Sequence, residues 1–387
     1  MIGSNLKLVL LERIEPHASP VLSLYLDVNP GMHDNSVTAF SLRAAEAMRA
    51  LGLDAGYIRQ VTDRLKQRFA RAEGRTLAIF AGEDLGELFD AYFLQTELPF
   101  LAAEDGALAH WGRPLVAPLL FALDQRERYA VIYVAADRVR VFEAFLGQID
   151  EMVDYARNVD TDDWVPYREA RRSPGVGLGV AARGGADVDT FQDRMEEATA
   201  RLYRSLIPEV ARRMEEERMD RIILVGQPGA VSAFRGLMNG GLQERVVGTL
   251  PPPANPDAGA HEWLPLVQEL IDTTEAEHEL ALLNRVREEG VWGLQETLTL
   301  LQDHRLHTLV VPWTELQPVY RAASGRVAVS AEEARVLSPG EVVSEVRLME
   351  VLPELVRESA TALEFAEGEA EELLNGEFGG LAGLKRW

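Results

Sequence analysis

The sequence predicts an α/β protein of three domains, on three observations. Short β-prone runs alternate with stretches whose apolar residues recur every three or four positions. Proline and turn signals cut the chain near Pro114 and again at Pro251-Pro252-Pro253. The 387 residues, 47% apolar and 26% charged, suit two or three globular domains of ordinary composition. The boundaries read 1–115, 116–252 and 257–387.

In the first domain, Val21 to Val28 (VLSLYLDV) is an apolar run closed by the turn signal Asn29-Pro30-Gly31. A helical stretch starts near Thr38, and its later part places Ile58, Val61, Leu65 and Phe69 on one face. Thr76 to Ala81 and Leu88 to Leu94 read as strands. Pro114 and Pro118 flank what reads as a short extended boundary.

In the second domain, Tyr129 to Ala135 and Val139 to Phe145 are β-rich runs split by Ala136-Asp137-Arg138, a hairpin pattern. A polar segment then runs from Asp154 to Val188, long for a structureless loop in a compact domain. Phe191, Met195, Ala198, Leu202 and Leu206 predict a helix, with Pro208 kinking or restarting it. Arg221 to Val225 reads as a buried strand. Pro251 to Pro253 with Asn255-Pro256 reads as a stiff linker.

The third domain holds a long helix from about Glu262 to Glu289, a second helix and a strand at Thr308 to Pro312. A helix over Glu341 to Ser359 and a strand over Thr361 to Phe365 follow. This alternation predicts an α/β sandwich.

Composition excludes several function classes. Without cysteine there are no disulfides, thiolate metal sites, iron–sulfur clusters or cysteine nucleophiles. The start MIGSNLKLVLLERIEPH lacks the features of a signal peptide, and no apolar run approaches the ~18 residues that cross a bilayer. A cytoplasmic protein without membrane partners is expected. The net charge of −23 opposes a free-standing nucleic-acid binder, so any RNA contact has to be local.

Chemistry-bearing motifs are few. His304 and His307 are the closest histidine pair but lack a carboxylate at ligand spacing, so no metal is expected. Gly226-Gln227-Pro228-Gly229 lacks both phosphate-loop spacings and reads as a plain turn between strand and helix. Glu332 to Glu377 carries thirteen Asp/Glu against three Arg, a solvated acidic face that could meet a basic partner. The stretch Arg168 to Ala186 (REARRSPGVGLGVAARGGA) differs from the rest of this acidic chain. It sets Arg168, Arg171, Arg172 and Arg183 against Glu169 alone, among glycines that let a backbone lie close to a ligand. A cationic, Gly-rich loop leading into a helix suits contact with an RNA backbone, and equally a plain surface loop.

Two segments resemble the archaeo-eukaryotic class-1 release factors and Pelota, including their Balon-like bacterial members. The ending NGEFGGLAGLKRW, with Phe378, Gly379, Gly380, Gly383, Arg386 and Trp387, is similar to the family's closing signature and reads as structural. Gly184-Gly185-Ala186, four further residues and Phe191 keep the spacing of the family's Gly-Gly-Gln loop, but Ala186 stands where the glutamine belongs. The resemblance implies a release-factor-like central α/β domain and a C-terminal sandwich like ribosomal proteins L7Ae and L30e. It implies binding in the ribosomal A site, with the Arg168–Ala186 loop on ribosomal RNA near the peptidyl-transferase centre. A translational GTPase such as EF-Tu is a further implied partner, and no cofactor is.

Alanine offers no hydrogen bond to orient a water, so a non-hydrolytic factor in hibernation, protection or rescue is expected. Two alternatives stay open. One is a peptidyl-tRNA hydrolase or release factor using Gln192; the other is an interaction module acting off the ribosome. Residues 1–115 hold no Asn-Ile-Lys-Ser-type stop-codon motif.

Overall fold

The N-terminal sheet is built on β1 (Val21–Asp27), whose residues are apolar enough to be covered on both faces. The computed structural model describes the chain except residues 1–9, 15–16, 18–19, 30–35, 70–73, 99–100, 102–105, 126, 159–162, 167–184, 315–316 and 387. α1 (Val37–Ala50) starts where the Ser36 hydroxyl accepts from Ala39 N, and α2 (Ala55–Arg68) where the Asp54 carboxylate accepts from Gly56 N and Tyr57 N. β2 (Thr76–Gly82), β3 (Phe89–Leu94) and β4 (Ala107–Gly112) complete an antiparallel sheet in the order β3-β2-β1-β4. Leu22, Leu24 and Leu26 meet Phe40, Met48, Ile58, Val61 and Leu65 from the two helices. The single helical stretch expected from about Thr38 is two helices broken at 51–54, and of the predicted face Ile58, Val61 and Leu65 are helical while Phe69 follows the helix and packs on the same core.

Residues 114–116 lie outside regular structure, and a helix that the sequence did not predict begins just before Pro118. Ala117–Gln125 forms α3, with Pro118 in the first turn, where a missing N–H leaves no bond unmade.

The central sheet comprises β5 (Tyr129–Val134), β6 (Arg138–Phe145), β7 (Gln148–Asn158) and β8 (Asp163–Pro166), followed after α4 (Gly185–Glu216) by β9 (Arg221–Gly226). α5 (Pro228–Leu237) and the short α6 (Gly240–Glu244) precede the last strand, β10 (Val246–Leu250). The order is β10-β9-β5-β6-β7-β8, with β10, β9 and β5 parallel and the rest antiparallel. Alternation along the strands divides the core in two. Ala130, Ile132, Ile222 and Leu224 face Tyr203, Val210 and Met214 of α4 and Phe234 of α5. Tyr129, Val131, Ile223 and Val225 face Trp263, Val267 and Ile271 of α7 (Ala260–Glu289).

The C-terminal region continues with β11 (Gly290–Trp292), α8 (Leu294–Gln302) and β12 (Leu306–Pro312), then β13 (Pro318–Ala322), β14 (Val327–Ala328) and α9 (Ala331–Leu337). β15 (Val343–Arg347), α10 (Leu348–Ser359), β16 (Ala362–Ala366), α11 (Gly368–Glu377) and β17 (Ala382–Lys385) end it. One sheet has the order β11-β17-β12-β16, the other β14-β13-β15. The helix expected over 341–359 therefore starts at Leu348, because Val343–Arg347 pairs with β13. Leu283, Val286, Leu374 and Phe378 form a core against Val310, Ala382 and Leu384.

Residues Met1–Arg126 with Glu275–Trp387 form one compact unit, and Glu127–Thr274 a second. The proline-rich stretch at 251–253 falls inside the second. Among the described residues, no helix is long and apolar enough to cross a membrane.

Candidate functional site

The segment singled out by its arginines lies in the chain between β8 and α4. β7 runs on to Asn158 and pairs with β8, from Tyr155 opposite Pro166 to Asn158 opposite Asp163. Part of the segment expected as loop is thus a hairpin at the sheet edge, since Trp164-Val165 can extend the ladder that β6 and β7 begin. On the far side, Gly185 and Ala186 already belong to the first turn of α4. Arg168, Arg171, Arg172, Arg183 and Gly184 lie outside the described residues. Gln192 lies within α4, some two turns from its start.

α4 is held where its side chains are defined. Tyr203 is buried, donates its hydroxyl to Ala135 O at 2.8 Å, and meets Phe234 edge to face at 5.3 Å. Burial pushes its phenol well above the ordinary range. Leu206, Ile207, Val210 and Met214 continue this face, and Pro208 is accommodated inside the helix. In chain order the arginine-rich segment therefore follows a strand at the sheet edge and precedes a helix that is anchored from Tyr203 on.

Arginines of the central sheet are used differently. Arg140, 3% exposed, bonds Glu151 at 2.6 Å, donates to Ala258 O at 3.1 Å and also to Pro256 O, and lies over Trp263. Arg138 forks onto Asp154 with two bonds of 2.8 Å and pairs with Asp257. Arg128 pairs with the buried Glu143. Arg221 forks onto Glu127 at 2.7 and 3.0 Å, and that hydrogen bonding raises its pKa. Arg138 and Arg140 tie the chain after the proline stretch to the sheet, and the acids neutralise all four cations in place. Sequence reading missed them, although arginines alternating at 138 and 140 opposite acids at 151 and 154 were a usable signal.

The C-terminal signature is consumed by the fold. Phe378 is buried and stacks edge to face on Trp292 at 5.8 Å. Gly379 and Gly380 take φ of 68° and 86°, and Gly293 N donates to Phe378 O and Leu381 O at 2.8 and 2.9 Å. A Cβ on Gly383 would stand 2.9 Å from Thr308 O. Arg386 donates to Leu306 O at 2.8 Å, Ser359 O at 2.6 Å and Ala360 O at 2.7 Å, capping the C-terminal end of α10. Trp387 lies outside the described residues.

The two sequence-flagged histidines also have local roles. His307 bonds Thr308 at 2.8 Å, and His304 takes φ of 59° at the end of α8. Gly226 has φ of 156°, close to extended, and its absent Cβ makes room for Val134 O. Among the described residues, no cluster of acids and histidines could hold a metal ion.

Residues 114–278, which span the central sheet, the loop and α4, match the family model of bacterial archaeo-eukaryotic release factor family 10. The chain resembles those release factors. Solved structures similar to it include the archaeal translation termination factor aRF1, at 17% identity over 100% of this chain and 98% of that one, with a TM-score of 0.24. Archaeoglobus fulgidus Pelota is 12% identical over 80% of this chain and 79% of its own, with a TM-score of 0.31. Dom34 of S. cerevisiae is 8% identical over 81% and 86%, with a TM-score of 0.38. All three scores are low, and the family match is what bears on function. No curated protein matches the chain.

Proposed function

We propose that the chain is a ribosome-binding factor of the release-factor and Pelota kind that occupies the A site without hydrolysing peptidyl-tRNA, in hibernation, protection or rescue. The observation that carries this reading is the family match over 114–278, because it takes in both the arginine-rich loop and the position where Ala186 replaces the family's glutamine. A methyl group cannot orient a water or stabilise an oxyanion. In this reading Arg168, Arg171, Arg172 and Arg183 contact ribosomal RNA near the peptidyl-transferase centre, with the backbone of Gly184, Gly185 and Ala186 lying close to it. The acidic body repels RNA elsewhere and so restricts contact to the loop. The C-terminal region, from about residue 257, would meet a translational GTPase such as EF-Tu, and residues 1–115 and 116–252 would act as the other two domains.

Sedimentation with 70S ribosomes and 50S subunits at moderate salt tests the reading. Wild type is expected to pellet, and the Arg171→Glu/Arg172→Glu/Arg183→Glu variant to remain in the supernatant. Wild type that stays in solution overturns the ribosomal role and leaves the off-ribosome module. Release from stalled peptidyl-tRNA complexes is expected to be absent. Release that disappears in Gln192→Ala would instead favour the hydrolase, a role for which the place of Gln192 within α4 gives no support.

A further inference from the structure

Three of the six large apolar side chains exposed among the described residues fall within one short stretch of the C-terminal region: Val336 at 71%, Leu337 at 43% and Val342 at 79%. They lie on either side of a turn in which Ser338 N donates to Ala334 O at 2.9 Å and Glu341 N to Ser338 O at 3.3 Å. α9, which ends in Val336 and Leu337, packs against β13 and β15. The turn delivers the chain directly into β15, which stands at the edge of its three-stranded sheet.

Which backbone groups of that edge are open follows from two bonds. Ala323 N donates to Val342 O at 3.1 Å, so the polar groups of Val342 point toward the β13 side. Alternation then turns Ser344 and Val346 inward and Val343 and Glu345 outward. The other face of the ladder agrees, because Ala322 N donates away from β15, to Arg326 O at 2.8 Å. Arg321 and Val319, opposite Ser344 and Val346, are therefore the residues that point at β15. Val343 and Glu345 present an outward N–H and C=O each, beside an exposed apolar cluster.

We infer that β15 is a strand-addition site for an extended peptide segment of a partner protein, in which basic and apolar residues alternate. Main-chain bonds to Val343 and Glu345 would supply the ladder, and Val336, Leu337 and Val342 the apolar contact. Charge selects the occupant. Glu332, Glu341 and Glu345 are exposed around the edge, and Glu332 to Glu377 holds thirteen acids against three arginines. From Glu332 to Arg347 four acids stand against Arg335 and Arg347, so the surroundings of the edge are net acidic, and a second copy of the chain is disfavoured by the repulsion between two molecules of net charge −23. A basic segment meets no such repulsion.

The test uses the full-length chain and fluorescein-labelled Lys-Val-Lys-Val-Lys-Val, followed by anisotropy and by hydrogen exchange of β15. Hexalysine and Glu-Val-Glu-Val-Glu-Val are the comparison peptides. The Lys-Val peptide is expected to bind at least about ten-fold more tightly than either, and to slow exchange at Val343 and Glu345. Glu345→Pro removes an outward N–H that the fold does not use and should weaken binding about ten-fold, whereas Glu345→Gln keeps that N–H and should lose only about two-fold. Val336→Ser/Val342→Ser, on exposed positions that carry no folding risk, should also weaken it about ten-fold. Equal binding of hexalysine, binding indifferent to Glu345→Pro, or dimerisation of the chain lost in Glu345→Pro would each overturn the proposal. Ribosomes enter no arm of this test, so its failure is separate from failure of the function proposed above.

Discussion

Two Gly- and Arg-containing segments of this chain look alike as strings, and the C-terminal one is used by the fold. In the C-terminal segment the signature residues serve the fold: glycines at positive φ, a glycine under a carbonyl, and an arginine on three carbonyl oxygens. The segment before α4 follows a strand at the sheet edge and precedes a helix, in a unit where Arg128, Arg138, Arg140 and Arg221 are matched by acids. A glycine that relieves a backbone clash cannot be exchanged without cost, whereas one that lets a ligand approach is felt only when the ligand is present. That contrast makes stability and binding separable readouts for the two segments.

The largest effect belongs to Phe378→Ala. The ring fills the core between α7, α11 and β17, and its loss should destabilise the chain by about 3–5 kcal/mol in urea unfolding. Arg386→Ala comes next, at about 1.5–3 kcal/mol, because three carbonyl oxygens lose a charged donor. A change below about 0.5 kcal/mol there would mean that water replaces the guanidinium, and would blur the contrast between the segments. Gly380→Ala should cost about 1–2 kcal/mol, since an L side chain at φ of 86° crowds its own backbone.

How much of this was legible in the sequence depended on whether the signal was local. Val21–Asp27, the hairpin of β5 and β6, and α7 follow from alternation, turn residues and helical spacing, and the structure has them. α3 was hidden because a proline in the first turn of a helix reads the same as one that breaks a helix. β13, β14 and β15 were missed because strands of five, two and five residues carry too few periods to register. Of the candidate site, sequence exposed the charge anomaly at 168–183 and the helix that follows it, but ran the loop on to Val188 where the structure starts the helix at Gly185. The Arg138–Asp257 ion pair and the hydrogen bonds from Arg140 to Pro256 O and Ala258 O join residues more than a hundred positions apart, and no local pattern announces such a contact.

The smallest expected effect on stability is also the sharpest test of the contrast. If these arginines serve RNA and not the fold, Arg171→Glu, Arg172→Glu and Arg183→Glu together should shift unfolding free energy by no more than about 0.5 kcal/mol. The same variant should lose ribosome sedimentation, and the wild type should lose it steeply as salt rises, because each phosphate contact releases counterions. If the triple variant instead unfolds about 2 kcal/mol more easily, the loop arginines are holding the fold as Arg386 does. The two segments would then be of one kind, and the RNA-contact reading of residues 168–186 would lose its basis.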